Sequence, residues 1–447
     1  MTRLYNINSG AIRMLPKLIE IQDVVAPCVL LDIEMAEELC DLGPFSHSED
    51  GASPQSAMVL VRFKTEPLGV IYLRFTEDAI SSEDMGTVLR ERFECEIDAR
   101  RRGRPDYLAV RSEVLKDAPS ITVGICTRER PEEVRKCLES VLAQAYPNFS
   151  VIVVDTPETQ RTHAVVDSFG DRVQYLEEKR PGLSFARNLA LEHVQSDIMA
   201  WIDDDEIADR HWLAELARAF HDVPTADVVC GLILPAELDT HAQVLWEQYG
   251  GHSKLRGFTQ DVFSKGTLRD QSPYYPLPPF GCAANSAFRL KSLLRLGGFD
   301  PALGVGTPTM AGEDTRALTE ILCNGGTIVH QPSALLFHHH RRDLETMAEH
   351  RFGYGVGLTA YYTSLIMDRP SRLIPLVRLL PLVYRDFFTK GSLRTGTLPA
   401  EFPPEIDKAN RKGLLIGPLR YVKARRQARL HGRPTDVWRT KREPVRS

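Results

Sequence analysis

No stretch of this chain holds the roughly 18 uninterrupted apolar residues that a membrane-spanning helix needs. The apolar run from Val24 to Leu31 is broken by Pro27 and Cys28. Met1 to Ile12 has no basic segment followed by an apolar one, so no secretory leader is expected. The cysteines are scattered, without a Cys-x-x-Cys pair for a zinc ribbon or redox motif. Reduced thiols in a cytoplasm are the expectation. No Gly-x-Gly-x-x-Gly follows an apolar run, which disfavours a dinucleotide-dependent oxidoreductase. There is neither an internal repeat nor a low-complexity tract.

What remains is an ordinary globular composition, 43% hydrophobic and 26% charged, in a 447-residue chain long enough for two or three cores. The net charge of −5 is unevenly spread. Residues Glu405 to Ser447 carry thirteen Lys/Arg against four Asp/Glu, a local +9 that leaves about −14 on the rest. The tail therefore attracts anions. No nucleic-acid partner is expected.

Three regions are expected, with boundaries at 1–116, 117–340 and 341–447. In the first, Ala57–Phe63 and Val70–Phe75 read as two strands joined by a turn carrying Pro67 and Gly69, which fits a small α+β accessory domain. The charged stretch Asp98–Asp106 reads as a solvated linker.

The second region opens on the apolar run Ile121–Cys126 and the polar loop Thr127-Arg-Glu-Arg. A helix follows, with Pro131 suited to its first position and Glu132 and Glu133 to the positive end of its dipole. Val134, Cys137, Leu138, Val141 and Leu142 share one face of it. A buried-strand pattern at Val151–Asp155, a helix around Ala186–Val194 and a strand at Asp197–Ile202 continue the alternation. Such alternation predicts a mostly parallel α/β sheet covered on both faces, with ligands at the carboxyl ends of its strands. Those ends carry Thr127/Arg128, Asp155 and Asp203-Asp204-Asp205-Glu206. An anionic ligand among so many carboxylates needs a cation, and hard oxygen donors suit Mg2+ or Mn2+. The alternative is a solvated turn with Asp209 capping the next helix. A second acidic pair, Glu313-Asp314, follows a Gly-rich loop and opens a helix, where favourable dipole placement is the plainer explanation.

Thr122-Val-Gly-Ile-Cys-Thr-Arg-x-Arg-Pro, Val153-Val-Asp155, Gly182-Leu-Ser-x-Ala-Arg-Asn188, Asp203-Asp-Asp205, Gly297-Gly-Phe-Asp300 and Gly312-Glu-Asp314 stand in an order and spacing that resembles family 2 glycosyltransferases of the GT-A fold. About half of the chain is covered. The resemblance implies a nucleotide-binding sheet and transfer of a sugar from a nucleotide diphosphate, UDP by preference. It implies that Asp155 reads the base and that Thr127, Arg128 and Arg130 form the loop beside it. Asp203 and Asp205 resemble the Asp-x-Asp motif, the first on ribose or metal and the second on the metal, with Asp204 in the variable middle beside the nucleotide. Arg187 and Asn188 resemble the pair lining the donor pocket, the guanidinium meeting phosphate or supporting the aspartates. Asp314 resembles the catalytic base of inverting members, with Glu313 its neighbour. His338 stands where some relatives place a histidine near the metal or diphosphate, although His338 to His340 followed by Arg341-Arg342 also reads as a surface turn. The pattern departs from the family after Asp155, where Thr156-Pro-Glu-Thr replaces the Asp or Asn and the Gly-Ser of many members, so base or sugar preference can differ.

The expected chemistry is a single displacement. A divalent ion stabilises the departing nucleoside diphosphate while Asp314 takes the proton of the acceptor hydroxyl. One base and no carboxylate nucleophile imply inversion. A sugar-phosphate nucleotidyltransferase would want glycine after strand one, which Thr127-Arg-Glu-Arg-Pro lacks, and a non-catalytic binding protein has no need of both acidic pairs. The acceptor, a lipid-linked or cell-envelope glycan or a small molecule, is not specified.

Beyond Arg341, helices interrupted by Pro375 and Pro381 are expected. Leu373, Ile374, Leu376, Val377, Leu379, Leu380, Leu382 and Val383 interleave with Arg372, Arg378 and Arg385. Such a segment can lie peripherally on an anionic membrane surface at the inner face, or form a helical cap packed on the catalytic domain with solvated arginines.

Overall fold

The computed structural model describes residues 16–45, 53–75, 79–103, 105–253, 256–268, 272–275, 280–388 and 403–430. A four-stranded sheet comes first, from β1 (Lys17–Ile19), β2 (Cys28–Glu34), β3 (Ser56–Phe63) and β4 (Glu66–Arg74), in the order β1-β4-β3-β2. β3 and β4 form the expected antiparallel pair. One face packs Val59, Val61, Leu73 and Ile71 against Leu89 and Phe93 of helix α1 (Ser82–Gly103). Met58 and Leu60 on the other face join Leu232, Leu234, Leu238 and Leu335 in a shared core, so this sheet is docked on the larger one. Asp98–Gly103, the first part of the charged stretch expected as a linker, is instead the end of α1, where Arg100 reaches Glu66 of β4 at 2.8 Å. Its exposed arginines carry no apolar period, so a helix end and a linker look alike in sequence.

Helix α2 (Tyr107–Lys116), capped by Asp106, leads into a nine-stranded sheet. Its elements are β5 (Ile121–Thr127), α3 (Pro131–Leu142), β6 (Phe149–Asp155), α4 (Arg161–Asp167), β7 (Val173–Glu177), α5 (Leu183–His193), β8 (Ile198–Asp203), β9 (Glu206–Ala208), α6 (Trp212–Asp222), β10 (Val228–Pro235), α7 (His241–Gln248), β11 (Asp261–Phe263), β12 (Ser286–Arg289), α8 (Leu290–Leu296), α9 (Glu313–Cys323) and β13 (Ile328–His338). The order is β11-β13-β10-β12-β8-β5-β6-β7, with β9 on β13. The β8-β5-β6-β7 half is wholly parallel, as expected. The other half is mixed, because β12 inserts antiparallel between β8 and β10. Helices cover both faces and two cores result, one including Trp212 and the other Trp201. Burying a side chain of the size of leucine or phenylalanine stabilises by about 1.5–3 kcal/mol. Asp209 does not cap α6. His211 holds the cap position, and Asp209 accepts from the His211 amide and pairs with Arg62.

The C-terminal region is helical: α10 (Leu344–Asp368), α11 (Leu373–Phe388) and α12 (Pro404–Leu430). α10 and α12 cross at glycines, and a Cβ on Gly355 or Gly413 would meet partner backbone at 2.2 Å. α11 is continuous where breaks were expected. Pro375 falls in its first turn, where no amide partner is lost, and only Pro381 is internal. The helix presents Leu373, Ile374, Val377, Leu380 and Tyr384 to solvent, against the packed-cap alternative. Arg372, expected to be solvated or interfacial, is buried and clamps Glu320. No described helix is long and apolar enough to cross a membrane.

Candidate functional site

The site lies where β5, β6, β8 and β13 end. β8 delivers Asp203 at its last residue, and the following turn carries Asp204 and Asp205. Thr127, closing β5, donates its hydroxyl to Asp204 Oδ2 at 2.7 Å. Arg130, beside the N-terminus of α3, spans Asp204 Oδ1 at 2.9 Å and Asp205 Oδ2 at 3.0 Å. Arg341, just past β13, adds a contact to Asp205 Oδ2 at 3.3 Å. His338 ends β13 with Nε2 3.5 Å from Asp205 Oδ1. Burial opposes the Asp205 charge, but the guanidiniums of Arg130 and Arg341 hold its carboxyl below the usual range. Asp204 moves the other way, raised by burial and then by the charge of Asp205. Burial also raises Glu206, whose Oε2 accepts from the Asp203 amide at 3.0 Å.

A second acidic layer is tied to the first by Arg187. This guanidinium on α5 is 3% exposed, lies over the rings of Trp201 and Phe299, and reaches Glu313 Oε1 at 3.1 Å and Asp203 Oδ1 at 3.5 Å. Gly312 precedes α9 with φ 99, and a Cβ there would meet the Gly357 carbonyl at 2.9 Å, so the loop turns into α9 only with glycine. Burial and the adjacent Asp314 push Glu313 up to about 7 against the pull of Arg187. Asp314 is half-buried, its Oδ2 accepting from the Ala283 amide at 3.3 Å and its Oδ1 from the Thr315 amide at 2.6 Å. Asp203 keeps an open face, with 41% of its side chain exposed.

Three residues singled out in the sequence stand differently. Asn188 spends its amide on the backbone of Phe299, donating to the carbonyl at 2.9 Å and accepting from the N–H at 2.8 Å, which holds the Gly297-Gly298 turn. Arg128 pairs with Glu158 at the exposed rim. Asp155 has no exposed surface: the Tyr175 hydroxyl donates to Oδ2 at 3.1 Å, and His163 stacks on the Tyr175 ring at 4.3 Å. Its Oδ1 is buried without a hydrogen-bond partner. Burial pushes its carboxyl up to about 6.

Sequence reading missed Tyr175, the Ala283 amide and Arg341 as contacts of these carboxylates. It also missed the surroundings of His338. His340, 4% exposed, lies 2.8 Å from it between ring nitrogens, and His252 stands close enough to both for one ion to be shared among the three. Three histidines in a row were a weak signal, because alternate residues of an extended segment face one way.

The carboxylates of Asp203, Asp204, Asp205 and Glu313 thus meet three guanidiniums, Arg130, Arg187 and Arg341, with Asp314 adjacent to Glu313. The facing pair of Asp205 Oδ1 and His338 Nε2 offers an oxygen and a nitrogen donor to a divalent cation, so these residues fit one.

Residues 122–296 match the family model described as glycosyl transferase family 2. The chain is similar to a glucosyl-dolichyl phosphate glucuronosyltransferase of Haloferax volcanii, 26% identical over 41% of this chain and 57% of that protein. It therefore spans little more than half of that relative. It is also similar to the succinoglycan biosynthesis protein ExoM of Rhizobium meliloti, 29% identical over 53% of this chain and 72% of that protein. Among solved structures, a mannosyltransferase from Pyrobaculum calidifontis in complex with GDP-Man and Mn2+ aligns at 18% identity and a TM-score of 0.41, over 73% of this chain and 82% of that one. The match identifies residues 122–296 as similar to a glycosyl transferase family 2 domain.

Proposed function

We propose that this chain is a glycosyltransferase that moves a sugar from a nucleoside diphosphate, UDP in the first instance, to an acceptor hydroxyl with inversion, in the presence of Mn2+ or Mg2+. The observation that carries the proposal is the joining of two acidic layers through Arg187, with Asp205 Oδ1 facing His338 Nε2 beside them. Asp205 and His338, with Asp203 on the open side, would hold the ion, which supplies Lewis-acid stabilisation of the departing diphosphate. Arg187 keeps Asp203 and Glu313 in register. Asp314, held by two backbone amides, takes the proton of the attacking hydroxyl. The reading is tested by offering the intact chain a panel of UDP-, GDP- and dTDP-sugars and measuring nucleoside diphosphate release. UDP release is expected. Release from none of them would reject the reading, and release from another donor would correct the nucleotide.

In this reading Asp155 meets the base, and its shielding makes the contact conditional. Tyr175 and His163 must yield to uncover the unpartnered Oδ1, which accepts from a uracil N–H more strongly when the carboxyl is ionised. With the pKa raised to about 6, the charged form prevails only above that pH. UDP affinity is therefore expected to rise as pH passes upward through about 6 and then level off, and Asp155→Asn should weaken binding and flatten the rise. An unchanged profile in the variant would remove Asp155 from base recognition.

The acceptor proposed is lipid-linked. One relative is named as a glucosyl-dolichyl phosphate glucuronosyltransferase and another for succinoglycan biosynthesis. On α12, exposed Leu415 and Leu419 are flanked by exposed Lys408, Arg411, Lys412, Lys423 and Arg426, and α11 adds its own exposed apolar residues. Leucines ringed by cations suit the interface of an anionic bilayer. Vesicles containing phosphatidylglycerol should bind the chain, less so at high salt. The exposed double substitution Leu380→Asp with Leu419→Asp should reduce binding without changing the melting temperature, and equal binding by the variant would discard the membrane role.

A further inference from the structure

We infer that Glu247 and His340 are positioning residues that fix which ring nitrogen of His338 carries the proton. The inference rests on the proposal that Asp205 and His338 hold the divalent ion. Glu247, on α7, is largely buried, with Oε1 2.7 Å from His340 Nε2. An ionised carboxylate only accepts, so the proton of a neutral His340 sits on Nε2 and its Nδ1 bears a lone pair. That Nδ1 lies 2.8 Å from Nδ1 of His338. Two lone pairs repel at this distance, so His338 Nδ1 carries the proton and donates it into His340. The remaining nitrogen of His338, Nε2, is then unprotonated and faces Asp205 Oδ1 at 3.5 Å.

Asp205 Oδ2 is already taken by Arg130 and Arg341, so Oδ1 is the oxygen left toward the imidazole. Two acceptors face each other there, and the missing partner is a cation. The chain from Glu247 through His340 to His338 thus delivers a nitrogen lone pair to the carboxylate by direct hydrogen bonds. A metal-ligating histidine ordinarily gives its other N–H to a carboxylate or carbonyl; here a second histidine stands between and relays the preference. The rings are held in place around this axis. Trp246 packs edge-on against His340 at 6.3 Å and His252 stacks on it at 5.6 Å. Gln243, buried on the same helix as Glu247, donates to the His340 carbonyl at 3.2 Å, which ties the histidine backbone to α7.

The test is Mn2+ binding to the full chain, followed by the electron-paramagnetic signal of free Mn2+, together with 15N spectra of the metal-free protein labelled in histidine. Wild type should show His338 protonated at Nδ1. Glu247→Leu and His340→Phe should weaken Mn2+ binding by about 10- to 100-fold, the range for loss of such outer partners, and His338 should move toward the Nε2-protonated form. Glu247→Gln, whose amide oxygen can still accept from His340, should retain most of the affinity and the wild-type tautomer. His252→Ala, which removes ring packing around the relay, should weaken binding less than either Glu247→Leu or His340→Phe. An Nε2-protonated His338 in wild type, or Mn2+ affinity unchanged in both Glu247→Leu and His340→Phe, would overturn the inference. So would a loss in His252→Ala as large as that in His338→Ala, which would seat the ion among the three imidazoles. Asp205→Ala separates the two levels: wild-type Mn2+ affinity in that variant defeats the metal site itself, whereas its loss there with full retention in His340→Phe defeats only the relay.

Discussion

Asp314→Asn is expected to leave donor binding nearly intact and to lower turnover by about a hundredfold or more, roughly 2.7 kcal/mol of barrier. The asparagine is nearly isosteric, and its amide oxygen can still accept from one of the two backbone amides that hold the carboxylate. Glu313 therefore stays tied to Arg187 and the donor side is undisturbed. What disappears is the group that accepts the proton of the acceptor hydroxyl. Steady-state kinetics with saturating donor, beside calorimetric binding of the nucleotide, reads the two effects separately. A variant whose loss lay wholly in donor affinity would reassign Asp314 from base to binding residue.

Asp205→Ala is expected to abolish Mn2+-dependent activity while the fold persists. The side chain ends a turn at the edge of the sheet, and its removal leaves Arg130 still paired with Asp204 and Arg341 part-exposed. The sign of the stability change follows from its lowered carboxyl. A depressed carboxylate stabilises the fold above its unfolded value and loses that contribution as pH falls. The variant should therefore melt slightly lower at neutral pH, by a few degrees, and the difference should shrink on acidification. Normal turnover by a folded Asp205→Ala would exclude the residue from the metal site.

Much of the fold was readable because β5, β6 and β8 are apolar runs buried on both faces, and because α3 repeats its buried residues at helical spacing with Pro131 at its start. β12 was not readable. Four residues are too few for a period, and its antiparallel insertion depends on pairing with β8 and β10 from distant parts of the chain. α11 was misjudged because proline penalties depend on position, and Pro375 falls where the penalty vanishes.

The acidic residues at the sheet edge were legible from the rule that ligands gather at strand ends. Their partners were not. Arg130 meets Asp205 across 75 residues, Arg341 across 136, and Glu247 meets His340 across 93. Nothing local marks such pairs. Asp155 shows the converse: its place at the end of β6 was plain, but its cover by Tyr175 and His163 comes from the neighbouring strand and helix, 20 and 8 residues further on.

Because the acceptor is unidentified, the most direct test of the central claim needs only the donor side. Calorimetric titration of UDP into the intact chain, once with Mn2+ and once with excess chelator, compares the affinities. The account predicts binding at least about tenfold tighter with Mn2+, a gain of roughly 1.4 kcal/mol, and loss of that gain in Asp205→Ala. Equal affinity in Mn2+ and in chelator would contradict it.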